Sequence, residues 1–222
     1  MMRRVLNWVL DLLYPPRCMV CDRLIARAQA PVCQACLDTL PEYDGADIPV
    51  ELAERCVATF FYRDALRESI LRFKFGGRDF YADMFGHWMA VTVRDKLQGQ
   101  FDCITWAPVS RRRLRERGYD QAELLCRALA KELGMRPVRL LEKARHTRRQ
   151  SGIHDEAARR ANASGAYQVC DQAKVLGQRV LLVDDIVTTG ATLAECCRVL
   201  RTAGAQTVVC AALAAAKRED ET

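Results

Sequence analysis

Apolar residues along this chain fall into two alternating patterns. Short, nearly continuous apolar runs, CVATFFY at 56–62, FDCITWAPV at 101–109 and RVLLVDD at 179–185, have the composition of buried strands. Between them, apolar positions recur at helical spacing in ALRESILRFKF (65–75), across 79–97, in QAELLCRALAKEL (121–133) and in ATLAECCRVLRTA (191–203), where Gly204 provides a stop. RPVRLL (136–141), GAYQVC (165–170) and AQTVVCAAL (205–213) complete the set of predicted strands. Strands that alternate with helices, and that are too apolar to have one wet face, predict an α/β fold: a mostly parallel sheet flanked by helices.

The first fifty residues read differently. In MMRRVLNWVLDLLYPP, Val5, Trp8, Val9, Leu12 and Leu13 share one helical face that Pro15 and Pro16 terminate. Asn7 and Asp11 interrupt the apolar stretch and no small-residue cleavage site follows, so an amphipathic helix is expected rather than a signal peptide. LPEYDGADIPVELAER (40–55) has the prolines and glycine of a linker. The expected organisation is therefore an N-terminal unit with its linker over 1–50 and a larger domain over 51–222.

Composition sharpens this picture at two points. With 222 residues, half of them hydrophobic, the chain can bury a full α/β core, and its net charge of +6 comes with clustered arginines, which favours an anionic ligand. Eleven cysteines are present. Seven of them (Cys56, Cys103, Cys126, Cys170, Cys196, Cys197 and Cys210) sit within apolar or helical patterns, as reduced core thiols do, and imply a cytoplasmic location. The other four form Cys18-x-x-Cys21 and Cys33-x-x-Cys36. Two such knuckles facing each other give a closed tetrahedral thiolate site, so a structural zinc is expected; a redox motif would need only one pair.

The chemistry concentrates in VLLVDDIVTTGATL (180–193). In parallel sheets ligands bind beyond the carboxyl ends of strands, where this segment places Asp184 and Asp185. Thr188, Thr189, Gly190, Ala191 and Thr192 follow, leading into a helix: hydroxyls, small residues and exposed amides suited to a phosphate monoester. Carboxylates beside a phosphate cradle would repel that phosphate unless they accept from hydroxyls on the same ligand, as a ribose 5-phosphate provides. No Walker A or dinucleotide fingerprint occurs.

These residues carry a resemblance. VLLVDDIVTTGATL is similar to the 5-phosphoribosyl-1-pyrophosphate (PRPP) signature of type I phosphoribosyltransferases. The four-cysteine start, RESILRFKFGGR, APVSRRRLRERGYDQAELL and RRQSGIHDEAARRANASGAY, in that order, resemble the ComF family of competence-associated proteins. The resemblance implies that Asp184 and Asp185, the catalytic candidates, hold the ribose hydroxyls and that residues 188–192 hold the 5-phosphate. It puts the basic segment after Pro108 near the pyrophosphate, with Mg2+ accompanying the ligand. Ser110, Arg111, Arg117 and Lys74 are the candidates there, and Arg145 to Arg149 with Gln150 are weaker ones on a loop able to close.

Five arginines fall between 111 and 117, so some are expected to face solvent or a larger polyanion. Asp120 and Glu123 read as a helix start; at 120 the resemblance implies an asparagine, and the carboxylate found there cannot donate to phosphate. His87 is expected to be partly buried, and His146 and His154 to flank the lid. Two functions remain open: a phosphoribosyltransferase with an unidentified acceptor, or a PRPP-regulated adaptor that binds single-stranded DNA and a competence helicase. The binding residues alone do not distinguish them, because transfer from PRPP is mostly a matter of placing the ligand and neutralising the leaving pyrophosphate.

Overall fold

A computed structural model describes residues 15–26, 31–144 and 165–216. The expected N-terminal helix, His146, His154 and the segment Arg145 to Gln150 lie outside the described residues. Its centre is a four-stranded sheet of β1 (Arg55–Phe61), β2 (Cys103–Trp106), β5 (Arg179–Val187) and β6 (Thr207–Ala215), in the order β1-β6-β5-β2, with every pair parallel. The apolar run of β5 explains its place. Leu181 and Val183 enter a core with α2 (Asp64–Phe75), α3 (Tyr81–Leu97) and α5 (Gln121–Glu132), while Val180 and Leu182 enter a second core with α6 (Ala191–Thr202). A strand buried on both faces needs apolar residues at both parities.

Both edges of the sheet are covered. The expected linker is laid against β1: the amide of Phe61 donates to Pro41 O (2.7 Å), that of Tyr43 to Thr59 O (2.9 Å) and that of Ile48 to Cys56 O (2.8 Å). This occupies edge groups that would otherwise be open to another chain. On the other edge, Val138 donates to Ile104 O (2.9 Å) and Pro137 bridges Ile104 in parallel. The strand expected at 136–141 is thus only a bridge at its start. The regular strand is β3 (Leu141–Lys143), which turns away to pair antiparallel with β4 (Tyr167–Val169) in a separate ribbon, because proline at 137 removes an amide from the ladder.

Helices α3 and α5 approach closely at Gly86, where a Cβ would come 2.4 Å from Ala128 Cβ. Only glycine fits that crossing. His87, the next residue of α3, is exposed rather than partly buried, 3.5 Å from Glu132. Cys170 is exposed as well, unlike the other six cysteines expected in the core.

Residues 111–117, the basic segment after Pro108, form α4 (Arg111–Arg117). Ser110 caps it by accepting from the Arg113 amide (3.3 Å), and Gly118 ends it. The short α1 (Gln34–Leu37) belongs to the cysteine module. Among the described residues no helix is long and apolar enough to cross a membrane.

Candidate functional site

Strand β5 runs two residues past the aspartates, so Asp184 and Asp185 sit within the strand end and alternate sides. Asp185 faces α2, where Lys74 Nζ lies 2.9 Å from its Oδ2; the two side chains are only 16% and 14% exposed. Asp184 opens onto the other side, toward the β3–β4 ribbon. Its enclosure by protein, and then the charge of Asp185, push its carboxyl up to about 8, against the opposing Asp185 amide (2.8 Å) and Lys74. The raised Asp184 carboxyl, beside an Asp185 already paired with Lys74, suits the strand end to hydroxyl groups or a cation rather than to a bare phosphate.

Beyond Val187 the chain turns through Thr188 and Thr189 to Gly190, whose φ of +76° precedes the first turn of α6. A Cβ there would meet Val50 Cγ2 at 3.2 Å in addition to the backbone strain. Thr189 Oγ1 lies 3.4 Å from the Ala191 amide, and residues 188–192 line a small hollow at the start of α6. The hollow joins a larger cleft of about 520 Å3 through Asp184, Thr188 and Thr192.

The cleft's walls come from distant parts of the chain. Lys74 and Arg117 line it as the sequence suggested, whereas Arg111 is exposed on the outer face of α4 and Arg113 lines the cleft instead. Positions 113 and 117 are one helical turn apart, so both side chains project to the same side. Arg117 stacks 4.6 Å over Phe75 and donates to Gln121 Oε1 (2.6 Å), which fixes its direction. Ser110 is buried as the α4 cap. Asp120 accepts from the amides of Val109 (2.9 Å) and Glu123 (3.2 Å) with its two oxygens, which makes it the brace between the α4 and α5 starts. Burial raises its carboxyl to about 6 in spite of those bonds.

Four polar residues of the cleft had not been singled out in the sequence: Tyr62, Arg67, Lys143 and Tyr167. Arg113 could have been found from the Ser110 cap, the Gly118 stop and the four-residue spacing to Arg117. Lys143 and Tyr167 carry no such signal, because they meet only through the ribbon.

The cysteine module is assembled as its spacing suggests. Ligand atoms of Cys18, Cys21, Cys33 and Cys36 all lie within 4.8 Å of one another, and the Cys21 and Cys33 sulfurs are 3.9 Å apart. Zinc–sulfur bonds of about 2.3 Å require tetrahedral edges of about 3.8 Å, so the four thiols fit zinc. The Cys33 amide points at Cys18 Sγ (3.4 Å), as amides do toward a thiolate. Burial raises the Cys18 thiol, but bonds from the amides of Cys33, Cys21 and Val20 outweigh it and bring the thiol down to about 7. The module is anchored to α2: Ser69 Oγ donates to Met19 O, and Arg72 Nη2 donates to Met19 O (3.1 Å) and Val20 O (2.7 Å).

Comparison with known proteins agrees with both parts. Residues 9–46 match the double zinc ribbon domain and residues 120–222 the phosphoribosyl transferase domain. Competence protein F of Haemophilus influenzae is 30% identical over 182 residues, 79% of this chain and 75% of that protein. Competence protein ComFC of Streptococcus pneumoniae is 27% identical over 195 residues, 86% and 84% of the two chains. Among solved structures, a glutamine PRPP amidotransferase from B. subtilis superposes with a TM-score of 0.41 at 22% identity, over 59% of this chain and 25% of that one. The zinc-ribbon start, the match of residues 120–222 to the phosphoribosyl transferase domain and the extent of the match to competence protein F place this chain in the ComF family.

Proposed function

We propose that the cleft binds PRPP with Mg2+ and that the protein is a phosphoribosyltransferase-like component of DNA uptake. The observation that carries this reading is the continuity of three parts: a carboxylate pair at the end of β5, a threonine–glycine hollow at the start of α6, and a cleft whose far wall is basic. In this reading residues 188–192 take the 5-phosphate, Asp184 and Asp185 accept from the ribose hydroxyls, and Lys74, Arg113 and Arg117 face the pyrophosphate. Mg2+ would be held mainly by the pyrophosphate and water, with the aspartates as its available protein oxygens, and would neutralise the departing group. The chain's own contribution is to fix the sugar carbon in line with an acceptor and to exclude water from it.

Calorimetry with PRPP and Mg2+ tests this reading. PRPP is expected to bind at least tenfold more tightly than ribose 5-phosphate, since the second compound leaves the basic wall unused. Equal affinities would remove the pyrophosphate assignment, and no binding of either compound would remove the whole reading. Release of pyrophosphate across a panel of bases and amines then separates an enzyme from a binding module.

The outer face of α4 favours the adaptor reading. Arg111, Arg112 and Arg115 are exposed there, with Arg112 3.1 Å from Glu116. Single-stranded DNA bound on this face should weaken steeply with salt, and changing these three arginines together to alanine should lower the salt slope by up to about two phosphate contacts while PRPP binding is unchanged. A slope identical to the parent's would place any DNA elsewhere on the protein.

A further inference from the structure

Arg72 is a half-buried cation of α2 that pairs with no carboxylate among the described residues. Lys74, two positions further on, shows the ordinary arrangement, an ion pair with Asp185. Arg72 turns instead to the cysteine module, where its Nη2 donates to Met19 O (3.1 Å) and Val20 O (2.7 Å). Its Nε is buried and has no hydrogen-bond partner among the described residues. Carbonyls alone compensate poorly for a guanidinium drawn partly out of water, and an unused donor makes the balance worse. A charge held in this way calls for an anion close by.

The module supplies one. Met19 and Val20 are the two residues between Cys18 and Cys21, so Arg72 grips the knuckle itself. In a trans peptide the carbonyl and the following amide point in opposite directions. The amides that follow these two carbonyls are those of Val20 and Cys21, and both are directed at Cys18 Sγ. The guanidinium therefore stands at the oxygen end of two peptide units whose N–H ends meet a single sulfur. A cation in that place polarises both units and makes each N–H a stronger donor to a thiolate. Four thiolates around one divalent zinc leave a dianion, which is the counter-charge that Arg72 finds nowhere else.

We propose that Arg72 is a positioning residue for the metal: it offsets the negative charge of the zinc tetrathiolate and tightens zinc binding through the Val20 and Cys21 amides on Cys18. Ser69 provides the comparison within the same helix. It is buried one turn before Arg72 and also donates to Met19 O, so it ties α2 to the module with a neutral hydroxyl. If these contacts served only to dock the module, losing either donor would affect the metal alike. If the charge matters, the two residues separate.

The test measures the zinc affinity of the reduced full chain by competition with a chelator, and the absorption spectrum of the cobalt-substituted protein, in the parent, R72Q, R72K and S69A. R72Q is expected to bind zinc about tenfold to a hundredfold more weakly. It should also move the thiolate-to-cobalt charge-transfer band to longer wavelength, because a sulfur that receives weaker hydrogen bonds gives up its electron more readily. R72K keeps the charge and should recover most of the affinity and of the band position. S69A should melt lower than the parent while its zinc affinity and its cobalt band stay near the parent's. R72Q binding zinc like the parent, R72K binding it as weakly as R72Q, or S69A binding it as weakly as R72Q would each overturn the proposal, the last by showing that docking alone sets the affinity. Should R72Q lose the cobalt band altogether, R72K decides: a parental band there supports the charge role, and its absence overturns it. A parent that binds no zinc would overturn this proposal together with the zinc assignment.

Discussion

Cys36→Ser is expected to strip the metal from the N-terminal module, and Cys18→Ser to do the same, while the parent carries about one zinc per chain. A hydroxyl is a poor substitute for thiolate, and a four-ligand structural site that loses one ligand loses most of its affinity. The effect should not stay within the module. Met19 and Val20 are buried against the larger domain, and their carbonyls accept from Ser69 and Arg72 of α2. If the knuckle loosens, those donors lose their acceptors, each at a cost of about 1–3 kcal/mol. The large domain should remain folded but melt lower, by about 2–4 °C for each kcal/mol in a domain of this size. Metal analysis with thermal unfolding of the parent and both variants checks this. Reduced, freshly purified parent without zinc would end the zinc assignment, and an unchanged melting temperature in the variants would show that α2 does not depend on the module.

The second large effect belongs to the carboxylate pair. Changing Asp184 and Asp185 together to asparagine should weaken PRPP binding by about tenfold to a hundredfold for each charged hydrogen bond lost, with the fold retained. The single variants should differ. Asp185→Asn also releases Lys74 from its 2.9 Å ion pair, so it should disturb α2 and cost some stability. Asp184→Asn should do the opposite.

Because the folded state raises the Asp184 carboxyl from its ordinary value of 3.8 to about 8, the native protein holds this proton more firmly than the unfolded chain does. The stability associated with it is fully present below pH 4 and is lost as pH rises toward 8. The carboxamide of Asp184→Asn would mimic the protonated acid at every pH. The variant should therefore melt higher than the parent near pH 8 and alike near pH 4, a stability gain set against a binding loss. Melting curves across this range with PRPP titrations check both halves. An Asp184→Asn variant that is less stable than the parent at pH 8 would mean that the carboxylate serves the fold rather than a ligand.

What the sequence settled by itself was local. The two Cys-x-x-Cys pairs were legible because a tetrahedral thiolate site depends on short spacings within each knuckle. The position of Asp184, Asp185 and the threonine loop was legible because a strand, its end and the following helix start are contiguous in the chain, and ligands of parallel sheets bind at such ends. The burial of β5 on both faces followed from its continuous apolar run, and the inner face of α6 from apolar periodicity. The tertiary structure decided what stands across the cleft from that loop. Lys143 and Tyr167 are 24 residues apart and meet only because Pro137 releases the chain from the main sheet into an antiparallel ribbon. Which arginines turn inward depended on where α4 begins: Ser110 sets the helical phase that sends Arg113 and Arg117 to the cleft and Arg111 to solvent. The linker gave up its independence to β1 for a similar reason, since an unpaired sheet edge binds whatever extended backbone lies beside it, and no residue pattern within 41–48 specifies that neighbour.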